Sequence, residues 1–216
     1  ADSAAEVLTL TATSDSDPSK TGTSAAVTVG VGAADSLFEV SGDGSVVAGA
    51  DRLLSARVTD VFENEVSGET IRFIIRSGGG SIGATLDSVD VTSDANGIAD
   101  TTLTTGLTAG TNEVTALVVS SRADSVNFTV STNPGLISYF TVIPTTFNTT
   151  VDTDVTVNVT AYDANNNIVT TDNSTQVNFT NSGTRTRQSV ANAILSGGLT
   201  NFTFADSAAE VLTLTA

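Results

Sequence analysis

ADSAAEVLTLTA fills residues 1–12, and the same twelve letters return at residues 205–216. An exact recurrence of this length marks the chain as one period of a tandem array, with twelve residues of overlap. Val7, Leu8 and Leu10 stand among small residues and threonines, which predicts a short strand over 5–12 and again over 209–216. A chain that opens and closes on the same strand is expected to be cut through the middle of a domain. The division of everything between the two copies follows from that cut.

Outward from the repeat, the composition is that of short β-strands joined by turns. Hydrophobic residues make up 39% of the 216 positions but aromatics only 5%. Val and Thr are abundant, and β-branched side chains fit a pleated, half-buried surface. Cysteine and histidine are both absent. That excludes disulfides, thiol chemistry, the usual zinc ligands and any Ser-His-Asp arrangement. Two Tyr and no Trp leave little to line a sugar-binding cleft around a carboxylate pair. No enzyme is expected. The net charge is −16, with only eight Lys and Arg, which argues against nucleic acid and against an anionic membrane surface. No run of eighteen apolar residues is present to form a membrane-spanning helix. The charge is uneven: residues 33–132 carry fourteen acids and five arginines, residues 133–204 four acids and two arginines.

Taken in order, residues 1–32 predict the closing hairpin of a preceding domain. The strand at 5–12 runs through the turn-rich TSDSDPSKTGTS (13–24) into a second strand at 25–30. Residues 33–132 predict a complete module. In 52–60, Leu54, Ala56 and Val58 alternate with Ser55, Arg57 and Thr59; in 70–76, Ile71, Phe73 and Ile75 share a face. Strands at 88–92 and 98–104 flank Asn96-Gly97, a strong hairpin signal. Further strands at 37–41, 113–119 and 125–131 bring the count to about seven at the even spacing of an immunoglobulin-type β-sandwich. Residues 133–216 repeat the plan, with Val155, Val157, Val159 and Ala161 inward. They stop one strand short, so the last domain is expected to be completed by the equivalent of 13–30 of the next copy. The fold class is all-β, tandem immunoglobulin-like β-sandwiches.

Two stretches align the modules: DVFENEV (60–66) on DANNNIV (163–169). In the first module TSDANGIA (92–99) and GTNEVTA (110–116) follow. These pieces in this order resemble the bacterial Ig-like domains of the invasin and intimin type, the first bacterial Ig-like family. The resemblance covers 35–131 well and 137–216 less fully, because the Asp-Ala-Asn-Gly turn has no counterpart there. It implies a rod of end-to-end β-sandwiches on a cell surface and no catalysis. The residues themselves give Asp60 and Asp163 a turn-capping role, and Asn64 and Asn167 a left-handed turn conformation.

Calcium is the one cofactor with candidate ligands, since it takes oxygen donors. Asp35, Asp60, Asp94, Asp152, Asp154 and Asp163 lie near expected module ends, with Asp43 and Glu63 close by. Asn127, Asn148, Asn158, Asn173, Asn178 and Asn201 are glycosylation sequons. The expected function is a structural repeat of an extracellular fibre or cell-surface stalk, its partners being neighbouring copies, in cis or head-to-tail between chains. The alternative is an adhesin module that binds a receptor or glycan through its loops, with Arg185 and Arg187 as the nearest thing to a contact cluster.

Overall fold

The computed structural model describes residues 3–83, 87–120 and 125–216. The connection between the strands expected at 113–119 and 125–131 lies largely outside them. The elements in chain order are β1 (Val7–Leu8), β2 (Thr11–Thr13), β3 (Thr21–Thr23), β4 (Val27–Thr28), β5 (Ser36–Ser41), β6 (Gly44–Val47) and β7 (Asp51–Thr59). There follow β8 (Thr70–Ser77), β9 (Ser81–Ile82), β10 (Ser88–Thr92), β11 (Ile98–Thr104), β12 (Gly110–Val118) and β13 (Ser125–Asn133). The last group is β14 (Tyr139–Pro144), β15 (Val155–Tyr162), β16 (Gln176–Asn178), β17 (Thr180–Asn181), β18 (Thr186–Gln188), β19 (Asn192–Ile194), β20 (Leu199–Asp206) and β21 (Leu214–Thr215). The chain divides into two compact units. One comprises Ala1–Gly44, Asp51–Thr105 and Asn112–Val130, the other Ser45–Ala50, Gly106–Thr111 and Ser131–Ala216.

In the first unit, residues 7–28 form a hairpin in two steps. Leu8 lies opposite Val27, and Thr11 opposite Thr23, with the register slipping by one residue between the two pairings. The predicted strand at 5–12 is therefore interrupted at Thr9 and Leu10. The main sheets of this unit run β10-β8-β12-β13 and β5-β7-β11-β9. Their inward residues follow the two-residue alternation of the sequence, since successive strand side chains point to opposite faces. Leu54, Ala56 and Val58 of β7, Ile71 and Phe73 of β8, Val114 and Ala116 of β12, and Phe128 and Val130 of β13 are fully buried. Phe73 and Phe128 meet at 6.0 Å between ring centres. Outward, Arg72 forks onto Asp90 across the β8–β10 pair at 2.6 and 2.7 Å.

The Asn96-Gly97 hairpin is corrected by the structure. β10 pairs with β8 and β11 pairs with β7, so the turn between them carries the chain from one sheet to the other. The local chemistry is that of a tight turn: Asp94 accepts the backbone N–H groups of Asn96 and Ile98, both at 2.8 Å. Gly97 has φ 69°, and a Cβ there would meet the Val58 carbonyl oxygen at 2.5 Å. The turn is docked on β7 rather than free at a hairpin tip.

The second unit repeats the smaller sheet strand for strand as β14-β15-β20-β18. Val155, Val157, Val159 and Ala161 are buried with Val177, Phe179, Leu195, Phe202 and Phe204. Phe179 stacks on Phe202 at 4.2 Å. The other layer is made of two short pairs, β16-β19 and β17-β21. In the first unit β12 is flanked by β8 on one side and β13 on the other. In the second, among the described residues, β21 has β17 on one side and no strand on the other.

Candidate functional site

Two features stand out from the scaffold: the edge of β21 and a pair of matching corners. The edge follows from the duplicated sequence. In the first copy, the Leu10 N–H donates to Ser24 Oγ and its carbonyl accepts the Ser24 N–H, at 3.0 and 2.8 Å. In the second copy, the Thr213 N–H donates to Ser182 Oγ and its carbonyl accepts the Ser182 N–H, at 2.9 and 3.1 Å. Thr213 is the equivalent of Thr9, the residue next to Leu10. Adjacent strand residues point their backbone groups to opposite edges. The two copies therefore use opposite edges of one and the same strand.

Beside β21 lies a groove of about 720 Å³ whose lining includes Pro144, Phe147, Val151, Phe204, Leu212 and Leu214. Phe147 at its rim is 82% exposed. Leu212, Leu214 and Ala216 turn inward against the core of this unit, whereas Val211, just before them in the chain, is 99% exposed.

The corners grow out of DVFENEV and DANNNIV. Each begins where an alternating strand ends in Asp. Asp60 Oδ1 accepts the N–H groups of Phe62 and Asn64 at 2.9 and 3.0 Å, and Oδ2 accepts the Gly32 N–H at 2.8 Å. Asp163 Oδ1 accepts Asn165 and Asn167 at 2.8 and 2.9 Å, and Oδ2 accepts Gly135 at 2.8 Å. The capping role read from the sequence is the one these carboxylates have. The left-handed residue is Glu63 or Asn166, with φ 67° and 65°, rather than Asn64 or Asn167. The two asparagines instead spend their amides on backbone. Asn64 donates to the Ser3 carbonyl at 2.8 Å and accepts the Ala5 N–H at 3.1 Å. Asn167 does the same to Leu107 and Ala109, both at 2.8 Å. Each such clamp closes within one compact unit. Its targets are main-chain atoms, which no residue type in the sequence announces.

Both corner carboxyls are held ionised. The Asn64 amide and the Gly32 N–H draw Asp60 down from 3.8 to about 2, with burial opposing them. Burial is the largest influence on Asp163 and raises it, yet the Asn167 amide and the N–H groups of Gly135, Asn167 and Asn165 together hold it at about 2. Asp94 is lowered in the same way by Ile98 and Asn96.

The six aspartates considered as calcium ligands are not drawn into one cluster. Asp60 and Asp163 face N–H donors, whereas calcium takes a shell of oxygens. Asp94 caps its own turn, Asp35 accepts the Ser36 hydroxyl at 3.1 Å, and Asp154 pairs with Arg187 at 3.0 Å. Asp152 takes a left-handed backbone, φ 61°. Among the described residues, no three acidic side chains converge to hold a metal ion. All six sequon asparagines, at 127, 148, 158, 173, 178 and 201, are exposed. Asn158 and Asn201 lie directly opposite each other on β15 and β20.

No protein-family model and no curated protein matches the sequence. Among solved structures, the Escherichia coli adhesin FdeC superposes with a TM-score of 0.53 at 23% identity, over 88% of this chain and 62% of that one. Yersinia pseudotuberculosis InvD superposes with a TM-score of 0.47 at 17% identity, over 74% of this chain and 46% of that one. The fold is an Ig-like β-sandwich, shared with FdeC. This chain spans less than two thirds of the FdeC chain it matches. Within the Ig-like frame, β5-β7-β11-β9 and β14-β15-β20-β18 are the same sheet built twice.

Proposed function

We propose that the chain is a structural module of an extracellular fibre or cell-surface stalk, assembled from Ig-like sandwiches that follow one another in a tandem array. The observation that carries this reading is the opposite-edge use of the duplicated strand. In an array each copy of ADSAAEVLTLTA has both neighbours at once, one on each edge, so every sandwich is closed. The recurrent Asp–Asn corner supports the same reading, because a clamp on main-chain atoms can be reused at every repeat without a special sequence at its target. The acidic composition suits an exposed, soluble array.

Protease treatment of intact source cells, followed by peptide mass mapping and a denaturing gel, tests this proposal. The expected outcome is release of peptides from this sequence before lysis, from a species many times the 21.8 kDa of this chain or from an assembled fibre. Peptides that appear only after lysis, from an unassembled protein, overturn it.

A further inference from the structure

We infer that the edge of β21 that no described strand pairs with, and the groove beside it, receive residues 21–30 of a neighbouring copy of this sequence. The inference rests on the array reading above and names the surface, the register and the contacts.

The occupant is identified by the sequence of the edge itself. Residues 205–216 are identical to residues 1–12, and residues 1–12 already have β3 and β4 as partners. The edge those partners use on the first copy is the one that no described strand pairs with on the second. Transferring the observed register places Val27 of the incoming copy opposite Leu212, and Thr23 opposite Thr215. Residues directly opposite in an antiparallel pair share a face. Leu212 faces the core, so Val27 is delivered to the groove side. In the present chain Val27 is 43% exposed and Val31 47%, an apolar run without a core to enter. Exchange costs little in pairing, because the strand given up and the strand gained have the same sequence. It adds burial of apolar surface on both sides, and an unpaired sheet edge is a template for such strand addition. A second contact fits the same occupant. Ser207 and Ala209 are the equivalents of Ser3 and Ala5 and are exposed, so the Asn64 amide of the incoming copy meets the backbone groups it clamps in its own chain.

The chain has no cysteine, which permits a direct test on the full-length protein. Thr11 and Thr23 side chains touch at 3.2 Å across the first copy, and Thr215 is the equivalent of Thr11. A Thr23→Cys chain is mixed with a Thr215→Cys chain under a mild thiol oxidant, and the disulfide-linked heterodimer is followed with time. Because each chain carries one cysteine, any such bond is intermolecular. A Lys20→Cys chain mixed with Thr215→Cys is the control. The expected result is heterodimer forming at least about ten-fold faster with Thr23→Cys than with the control, since a disulfide needs Cβ atoms roughly 4 Å apart. Adding Val27→Asp to the Thr23→Cys chain should remove that advantage, and an exposed site of this kind leaves folding intact. Equal rates for the two pairs, or no effect of Val27→Asp, overturn the inference. That failure leaves the surface-array reading to its own protease test.

Discussion

The two copies of ADSAAEVLTLTA are the same molecule twice up to the atoms of the side chains, yet they live in different places. In the first, Val7 is 66% and Leu10 63% exposed, and the strand leans on a thin hairpin. In the second, Leu212, Leu214 and Ala216 pack against a core of Val, Leu and Phe while, among the described residues, no strand pairs with the opposite edge. Local propensity is identical in the two copies, so it explains nothing of the difference. What differs is which neighbouring strand the rest of the chain supplies: β3 and β4 to the first copy, β17 to the second. Burial is a property of the partner as much as of the strand.

The comparison breaks most visibly at the strand that closes a sandwich. Phe128 of β13 is fully buried, and Phe128→Ala is expected to cost about 3–5 kcal/mol, whereas Val27→Ala in the half-exposed β4 should stay within about 0.5 kcal/mol. Urea unfolding followed by circular dichroism reads both; equal losses would mean that β4 already has a core in the isolated chain.

At the clamps, Asn167→Ala leaves the Leu107 and Ala109 backbone groups and one side of Asp163 without their partner. A loss of about 1–3 kcal/mol is expected. Asn167 is buried and Asn64 only partly so, so Asn64→Ala should cost less in the same assay. A larger loss at Asn64 would show that the more exposed corner is the stronger one.

The duplicated leucines give the sharpest internal control, because each substitution is made twice in one sequence. Leu214→Ala is expected to lower stability by about 1–2 kcal/mol and Leu10→Ala by less than about 0.5 kcal/mol. Matching values would remove the distinction between the copies.

The acid limb sets the corners against the rest. Asp60 and Asp163 have folded-state values of about 2 against an ordinary 3.8. A lowered carboxyl contributes stability that is fully present above the ordinary value and is lost as pH falls toward the folded one. Stability should therefore decline between about pH 4 and pH 2. Asp163→Asn should flatten that decline when urea midpoints are measured across the range, and an unchanged slope would mean that other carboxylates carry it.

Much of the sandwich was legible because period-2 alternation is a direct consequence of strand geometry. Leu54, Ala56 and Val58, and Val155, Val157 and Val159, are inward as their spacing requires. The Asn96-Gly97 turn was legible as a turn and misleading as a hairpin. Its dipeptide controls a few backbone angles, while the sheet that Ile98 joins is chosen by packing on β7. The Oδ1 caps of Asp60 and Asp163 could be read because their targets are two and four residues away, whereas the Oδ2 bonds to Gly32 and Gly135, 28 residues back, could not. The Asn64 and Asn167 clamps could not, because their targets are main-chain atoms about sixty residues distant.

The sequence by itself determined that this is an all-β protein, that one strand recurs exactly, and which face of most strands turns inward. Those are local matters, set by alternation, turn chemistry and identity of letters. The tertiary structure alone decided that the recurrent strand offers one edge at the start of the chain and the other at its end. Hydrogen-bonding edges are a property of pairs, and a pair exists only once distant parts of the chain have met.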